Sequence, residues 1–574
     1  MPANRKSAFL QRGSPMHYQV VNGVRIVAVE SGFLVAAFTA ALIVVRYKRP
    51  FVRPRWLDQV LDSEVRPVFI VVAAAMLARG LLLPIAGIPE PRVDDEFANL
   101  LAADTFCHLR LTNPTPASWE HFETFHVNVR PTYHSMYPVA QGLVLAFGQR
   151  LFRQPWIGVY LSTALLCGAI CWALQAFVPP VCALIGGLLA VARIALFGYW
   201  VNSYWGGSVA ALGGALAIGA VVRVFDPGRT SRSRTHLACV FALALLILAT
   251  SRPYEGLAFS LPLLAFFGYH TVKGGMSRLQ LRTTLLPLAA IGMLGMLMMG
   301  FYNHQTTGDA LVMPYVLNHR TYWPLPFFLG EKRNTDLKLT DPVFAQFMQI
   351  TTEDYELQKT ESASGLESIQ AKRALRNWFF YVGPALTLPV IIGLLSSFVE
   401  PRLWIAMWAA LFTAIATALC LYNQMHYAAP ATIVVYLFAM EGLRYLWERR
   451  EKGEQAFVMA VVTAAVLAGV SRQTGSSTVA NTFDLVDGRK IVVQQLRDKP
   501  GKHLVLVSYD MDRHYPGNEL VHNWADFDSE RILWARSKGA EGDTDLCRAY
   551  GDRTFWSVTT DDANLSLMPL ELCR

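Results

Sequence analysis

Charged residues are scarce in this sequence. Asp, Glu, Lys and Arg make up 16% of its 574 residues, where a soluble chain carries about a quarter. Paired cysteines are missing too: eight cysteines are scattered without a CxxC pair, which leaves zinc-site and dithiol redox readings without support. Carboxylates are almost absent from the interiors of the apolar runs, and this weighs against a proton-coupled carrier. What the chain has instead is apolar sequence, 53% of its residues. It comes in blocks of about 17–22, long enough to cross a hydrocarbon core of roughly 30 Å as helices. The net charge of +8 then reflects Lys and Arg in loops, not nucleic-acid binding.

Apolar runs and their breakers predict about twelve spans. They fall near residues 25–45, 67–88, 156–177, 181–199, 206–225, 236–250, 256–270, 284–301, 379–398, 402–421, 428–447 and 456–470. The first run ends at the basic stop RYKRPFVRPR and reads as a retained span, not a cleaved signal. The loops 46–55, 226–234, 273–282 and 444–452 are the richest in Arg and Lys and share one side, which marks it as cytoplasmic. Arg5, Lys6 and Arg12 run against this assignment, because they make the external N-terminus basic. A multi-pass protein of the inner (plasma) membrane is expected. Residues 1–470 form its transmembrane domain, with external loops at about 89–155 and 302–378.

After residue 471 the composition turns polar. VVQQLRDKPGKHLVLVSYD predicts helix, turn and buried strand, and two further helix-and-strand patterns follow. A small external α/β domain over 471–574 fits this pattern. It holds no phosphate loop, and Cys547 and Cys573 would sit there on the oxidising side, either as a disulfide or as two free thiols.

Loops this long are usually functional. The first opens on three adjacent carboxylates, Asp94, Asp95 and Glu96, at the start of a predicted amphipathic helix. Their place in the first turn suits the positive end of a helix dipole. Like charges side by side still require compensation by an arginine, a metal ion or a polarised substrate. SMYPVAQGLVLAFGQRLF predicts a second such helix along the membrane surface. Between the two lie His126, Arg130, Tyr133 and Tyr137. Positive charge is available from Arg79 and Arg193, inside spans, and Arg252, at a span's end. Intramembrane arginines face a cavity or a partner, and guanidinium grips phosphate oxygens well. Glu255 is read as a partner of Arg252, and His426 as a further contact at a helix end.

Carboxylates above and arginines beneath suit a lipid-linked phosphosugar. One carboxylate would deprotonate an acceptor hydroxyl as it attacks the anomeric carbon, inverting it. The sequence also resembles the C-type (GT-C) membrane glycosyltransferases, and within them the protein O-mannosyltransferase and aminoarabinose-transferase group (glycosyltransferase family 39-like), in a bacterial branch. The resemblance covers residues 65–450. It is carried by DEFANLLAADTF, FHVNVRPTYHSMYP, GYWVNSYWGG and SRPYEG. In that group an Asp-Glu pair opens the first external loop, and Asp95-Glu96 matches it. Tyr137-Pro138-Val139 stands where the group has a His-Pro-Pro-type motif, and Asn99 where it tends to have Tyr.

The resemblance implies a GT-C fold, a polyprenyl-phosphate sugar donor, and Asp95 as general base with Glu96 and Asp94 beside it. It also implies an envelope glycan, lipid or protein as acceptor, and no metal. The alternatives are a metal-dependent transferase with Mg²⁺ or Mn²⁺ on Asp94 and Glu96, a transporter or flippase of lipid-linked saccharides, and an inactive scaffold.

Overall fold

A computed structural model describes residues 15–46, 55–273, 277–360, 365–449, 451–471, 485–511, 514, 519–561 and 565–570. Arg5, Lys6, Arg12, most of the 46–55 loop and Cys573 lie outside the described residues. All twelve stretches expected to span form helices. Eight helices among the described residues are long and apolar enough to cross a membrane on their own. A ninth candidate is a helix pair, Gln370–Tyr381 and Gly383–Ser396, bent by 97°, which passes the same test only when its two halves are taken together. The others are too short or too polar at their ends to qualify singly: Pro180–Ala190 continues into a π-turn at Val191–Ala195, Pro253–Lys273 carries Glu255 in its first turn and Lys273 in its last, and Thr432–Glu448 is 17 residues long. The protein is a multi-pass helical membrane protein.

Small residues let these helices close on one another. Gly214, in the helix Gly207–Val224, faces the turn at Met425–Ala431, and a Cβ there would collide with the Pro430 carbonyl. Such contacts substitute for a hydrophobic driving force that lipid does not supply. They also seat the turn that carries His426.

Among the described residues, two carboxylates well inside spans run against the sparseness expected there. Glu30 and Glu441 are 2% and 1% exposed. Glu441 accepts from Arg402 (3.0 Å) and Arg444 (2.5 Å), and Glu30 lies 3.9 Å from Arg193. Each is matched by a guanidinium, as burial of charge demands.

In the first long loop, the acidic helix Asp94–Cys107 packs against the helix Val139–Phe152. The latter leaves Leu143, Phe147 and Leu151 exposed at helical spacing, an apolar stripe suited to a membrane surface. Two short strands, β1 (Val127–Asn128) and β2 (His134–Ser135), pair antiparallel between the helices.

The tail forms a helix, Leu485–Arg497, and a four-stranded sheet. Its strands are β3 (Lys502–Tyr509), β4 (Ile532–Arg536), β5 (Arg553–Thr560) and β6 (Leu565–Pro569), in the order β4-β3-β5-β6. β3 runs parallel to β4 and β5, and β6 is antiparallel to β5. The central strand β3 is apolar on both faces, as a strand covered on both sides must be. One face packs on Val492 and Leu496 of the tail helix, and the other reaches Phe122 of the first loop.

Candidate active site

The acidic helix begins at Val93, whose side chain cannot cap it. The three carboxylates in its first turn go three separate ways.

Glu96 turns inward and is 4% exposed. Its carboxyl accepts the Arg92 backbone N–H (2.7 Å) on one oxygen and the Tyr204 N–H (2.9 Å) on the other. Burial pushes its pKa up to about 7 in spite of those donors. Asp94 turns to the tail, where its Oδ1 is 3.1 Å from His522 Nε2. Burial moves Asp94 well above the carboxylate range and His522 down to about 3, so both favour their uncharged forms.

Asp95 keeps a 30% exposed side chain. Its Oδ1 accepts the Tyr137 hydroxyl, and its Oδ2 lies 3.7 Å from His126 Nε2. The Asn99 amide donates to its backbone carbonyl at 2.8 Å. His126 is held at φ +62°, the left-handed region, a conformation that non-glycine residues adopt mainly where the surroundings impose it. Its ring stacks over Trp323 at 6.1 Å. Burial and the neighbouring Asp95 charge hold Tyr137 as the neutral phenol.

Arg252 is half-buried, with its guanidinium 4.6 Å from the Tyr427 ring centroid. Its charge acts on Glu255, Tyr427, Tyr137 and Tyr199. Among the described residues it makes no ion pair. His426, 4% exposed, bonds the Tyr199 hydroxyl and meets Trp205 edge to face at 4.9 Å. Arg373 and Arg376, on the helix Gly365–Tyr381, donate to the carbonyls of Cys420, Leu421 and Asn423 beside it. Asp95, Tyr137, His126, Arg252, Glu255 and His426 therefore share one region.

The other expected residues lie elsewhere. Arg79 is 0% exposed and donates to Leu196 O (3.2 Å), Gly87 O (3.4 Å) and Asn202 Oδ1 (2.8 Å). It fastens the end of its own helix to the segment 196–202 and presents no free face to a phosphate. Arg193 donates to Val382 O at 3.1 Å and faces Glu30. Arg130 is exposed, stacked on Trp119 at 4.7 Å. Tyr133 is 1% exposed and donates to Asn523 O, so it docks the tail. Asp94 and Glu96 turn to different neighbours: Asp94 Oδ1 faces His522, and the Glu96 oxygens accept two backbone amides. Among the described residues no three His, Cys, Asp or Glu side chains are grouped to hold a metal ion.

Sequence reasoning left Tyr199, Tyr315, Arg376, Tyr427 and His522 without individual roles. The signal for three of them was present, since GYWVNSYWGG and YNQMHYAAP put Tyr199 and Tyr427 at helix ends and PYVLNHRTYW puts Tyr315 in the second long loop.

No protein-family model matches the chain, and no curated protein sequence matches it. Solved structures do. ArnT from Cupriavidus metallidurans aligns in the apo state and bound to undecaprenyl phosphate, in each case with TM-score 0.53 and 12% identity over 86% of this chain and 93% of that one. AglB from Archaeoglobus fulgidus, in complex with an inhibitory peptide and a dolichol-phosphate, aligns with TM-score 0.44 and 12% identity over 78% of this chain and 62% of that one. The likeness to ArnT establishes the fold, which is that of the GT-C membrane glycosyltransferases.

Two measurements check this geometry. The folded-state pKa of Glu96 lies above its unfolded value, so stability should fall as pH rises from about 4.5 to about 7. Thermal midpoints in detergent should show that slope in the wild type, and Glu96→Gln should flatten it. Arg79→Met strands two carbonyls and an amide, and should cost about 2–4 kcal/mol of stability. It should lower the thermal midpoint while donor-lipid affinity per folded molecule stays unchanged.

Proposed function

We propose that this protein is an inverting membrane glycosyltransferase that moves a hexosyl or pentosyl group from a polyprenyl-phosphate donor to an acceptor hydroxyl. The observation that carries the reading is Asp95, a part-exposed carboxylate oriented by the Tyr137 hydroxyl, with Arg252, free of any ion pair among the described residues, close enough for its charge to act on Tyr137. The fold of a structure bound to undecaprenyl phosphate supports the donor class.

In the proposed reaction Asp95 takes the proton of the acceptor hydroxyl as its oxygen attacks the anomeric carbon. The bond from that carbon to the phosphate oxygen breaks on the opposite face, and the phosphate departs with the electron pair. Arg252 balances the charge that grows on it. Tyr137 occupies one oxygen of Asp95 and leaves the other for the acceptor. Glu96 holds the helix in place and transfers no proton. Aromatic rings at Tyr199, Trp205 and Trp323 offer faces on which a sugar can stack.

The reaction is placed on the external face of the inner membrane, with an envelope glycan, lipid or protein as acceptor. It needs no metal in this reading, because both oxygens of Glu96 already accept backbone N–H groups and Asp94 Oδ1 faces His522. EDTA should leave the rate unchanged, and a loss restored by Mn²⁺ would return Asp94 and Glu96 to a metal-binding role.

The central test is transfer from labelled polyprenyl-phosphate sugars in vitro. Asp95→Asn should cut turnover by about 10²–10⁴-fold, the range general-base catalysis contributes, with donor binding retained. Normal transfer by that variant would remove Asp95 as the base.

A further inference from the structure

The tail segment 519–525 lies across the helix that carries Asp95. At the helix's first turn, His522 Nε2 is 3.1 Å from Asp94 Oδ1. The His522 ring stacks on Phe97, with centroids 4.1 Å apart and planes within 6°. Three turns on, Asp104 Oδ2 accepts the Ala525 backbone N–H at 2.9 Å. Eleven residues of helix, a rise of about 15 Å, are thus held at both ends by four residues of the tail.

His522 is itself firmly placed. The Arg489 guanidinium donates to the carbonyls of Leu520 and His522. The Asn523 amide bonds the Trp534 N–H and C=O, each at 2.8 Å. Glu519 accepts the N–H groups of Leu520 and Val521 and the Arg536 guanidinium. The histidine therefore reaches the helix from a rigid support.

Its two contacts fall on Asp94 and Phe97, on either side of Asp95 in the chain. A helix whose N-cap offers no side-chain acceptor frays at its first turn, and Val93 offers none. With Glu96 fixing one side of that turn, contacts on Asp94 and Phe97 fix its rotation about the helix axis. That rotation sets the direction in which the Asp95 carboxylate points.

We infer that His522 is a positioning residue for Asp95, so that the tail completes the transferase site from a point more than 400 residues along the chain. The inference rests on the glycosyltransferase reading above.

The test uses the full-length protein and labelled undecaprenyl-phosphate sugars, with His522→Ala, His522→Phe and His522→Gln. The alanine variant loses both contacts, phenylalanine keeps the stack alone, and glutamine restores a polar group toward Asp94. His522→Ala should lower kcat by about tenfold or more, since small misplacements of a reacting group cost that much. Its donor KM should stay within about twofold. His522→Gln should recover more of kcat than His522→Phe, and amide exchange in His522→Ala should quicken in residues 94–98 before it does in the sheet.

If the wild type transfers sugar and His522→Ala matches its kcat within about twofold, the positioning role is overturned and the transferase reading stands. The role is overturned equally if kcat falls only together with faster exchange throughout the sheet. If the wild type transfers nothing across the donor panel, the transferase reading falls and the inference with it. Should His522→Ala fail to purify, the other two decide: a higher kcat for Gln than for Phe supports the role, and equal kcat values overturn it.

Discussion

The Glu96 carboxyl takes the backbone N–H of Arg92 on one oxygen and that of Tyr204 on the other, and so ties the acidic helix and the chain entering it to a segment more than 100 residues away. The Tyr204 hydroxyl returns to Pro89 O at 2.9 Å, and Gln141 donates to Tyr204 O at 2.9 Å. Arg79 binds Asn202 and Gly87 on the same seam. The exit of one span, the start of the acidic helix and the segment 198–206 are thereby a single unit. Leaving a buried carboxyl without donors costs several times what a hydrogen bond contributes net. That asymmetry holds the seam closed and places Asp95, the preceding residue, at its edge.

The second long loop and the tail meet on a denser version of the same principle. Arg536 pairs with Asp341 at 2.7 Å and with Glu519, while Lys538 reaches Asp341 at 2.6 Å. Asp341 also accepts the N–H groups of Val343 and Phe344 with its other oxygen, at the start of the helix Pro342–Thr360. Tyr322 donates to Glu123 of the first loop at 3.1 Å. Buried ion pairs of this kind contribute little net stability, yet losing one partner is severe. They define one arrangement of three segments, in which Trp323 lies against His126 and Tyr315 lies near Tyr427 and Arg252.

Much of this was legible in the sequence, for identifiable reasons. Apolar length marked all twelve helices, and three acidic residues before ANLLAADTF marked a helix start. The identities of the first-turn carboxylates were legible only in outline. Helical geometry turns residues 94, 95 and 96 about 100° apart, but their partners lie at positions 522, 126 and 204, which no local pattern links. Intramembrane arginines were legible as arginines in need of a partner. For Arg79 the partners are backbone carbonyls and an amide, which have no signature in sequence, and for Arg193 the partner is Glu30, far away in the chain. Tyr133 and Arg130 show the opposite limit, because a polar loop residue does not reveal which way it faces.

The surroundings of Arg252 bear on why the same helices do not read as a carrier. Glu30 and Glu441, buried carboxylates well inside spans, are each matched by arginine. Arg252 is surrounded by phenols, a ring face and the Glu255 carboxyl, with which it makes no ion pair among the described residues. A ring face offsets only part of the cost of drawing a guanidinium out of water, and phenols that remain protonated add no countercharge. The site therefore offers an anion a guanidinium that no ion pair holds among the described residues, near a carboxylate that stays part-exposed. A carrier would have to release that anion on the far side, away from this guanidinium. A transferase only needs to hold it while the sugar leaves.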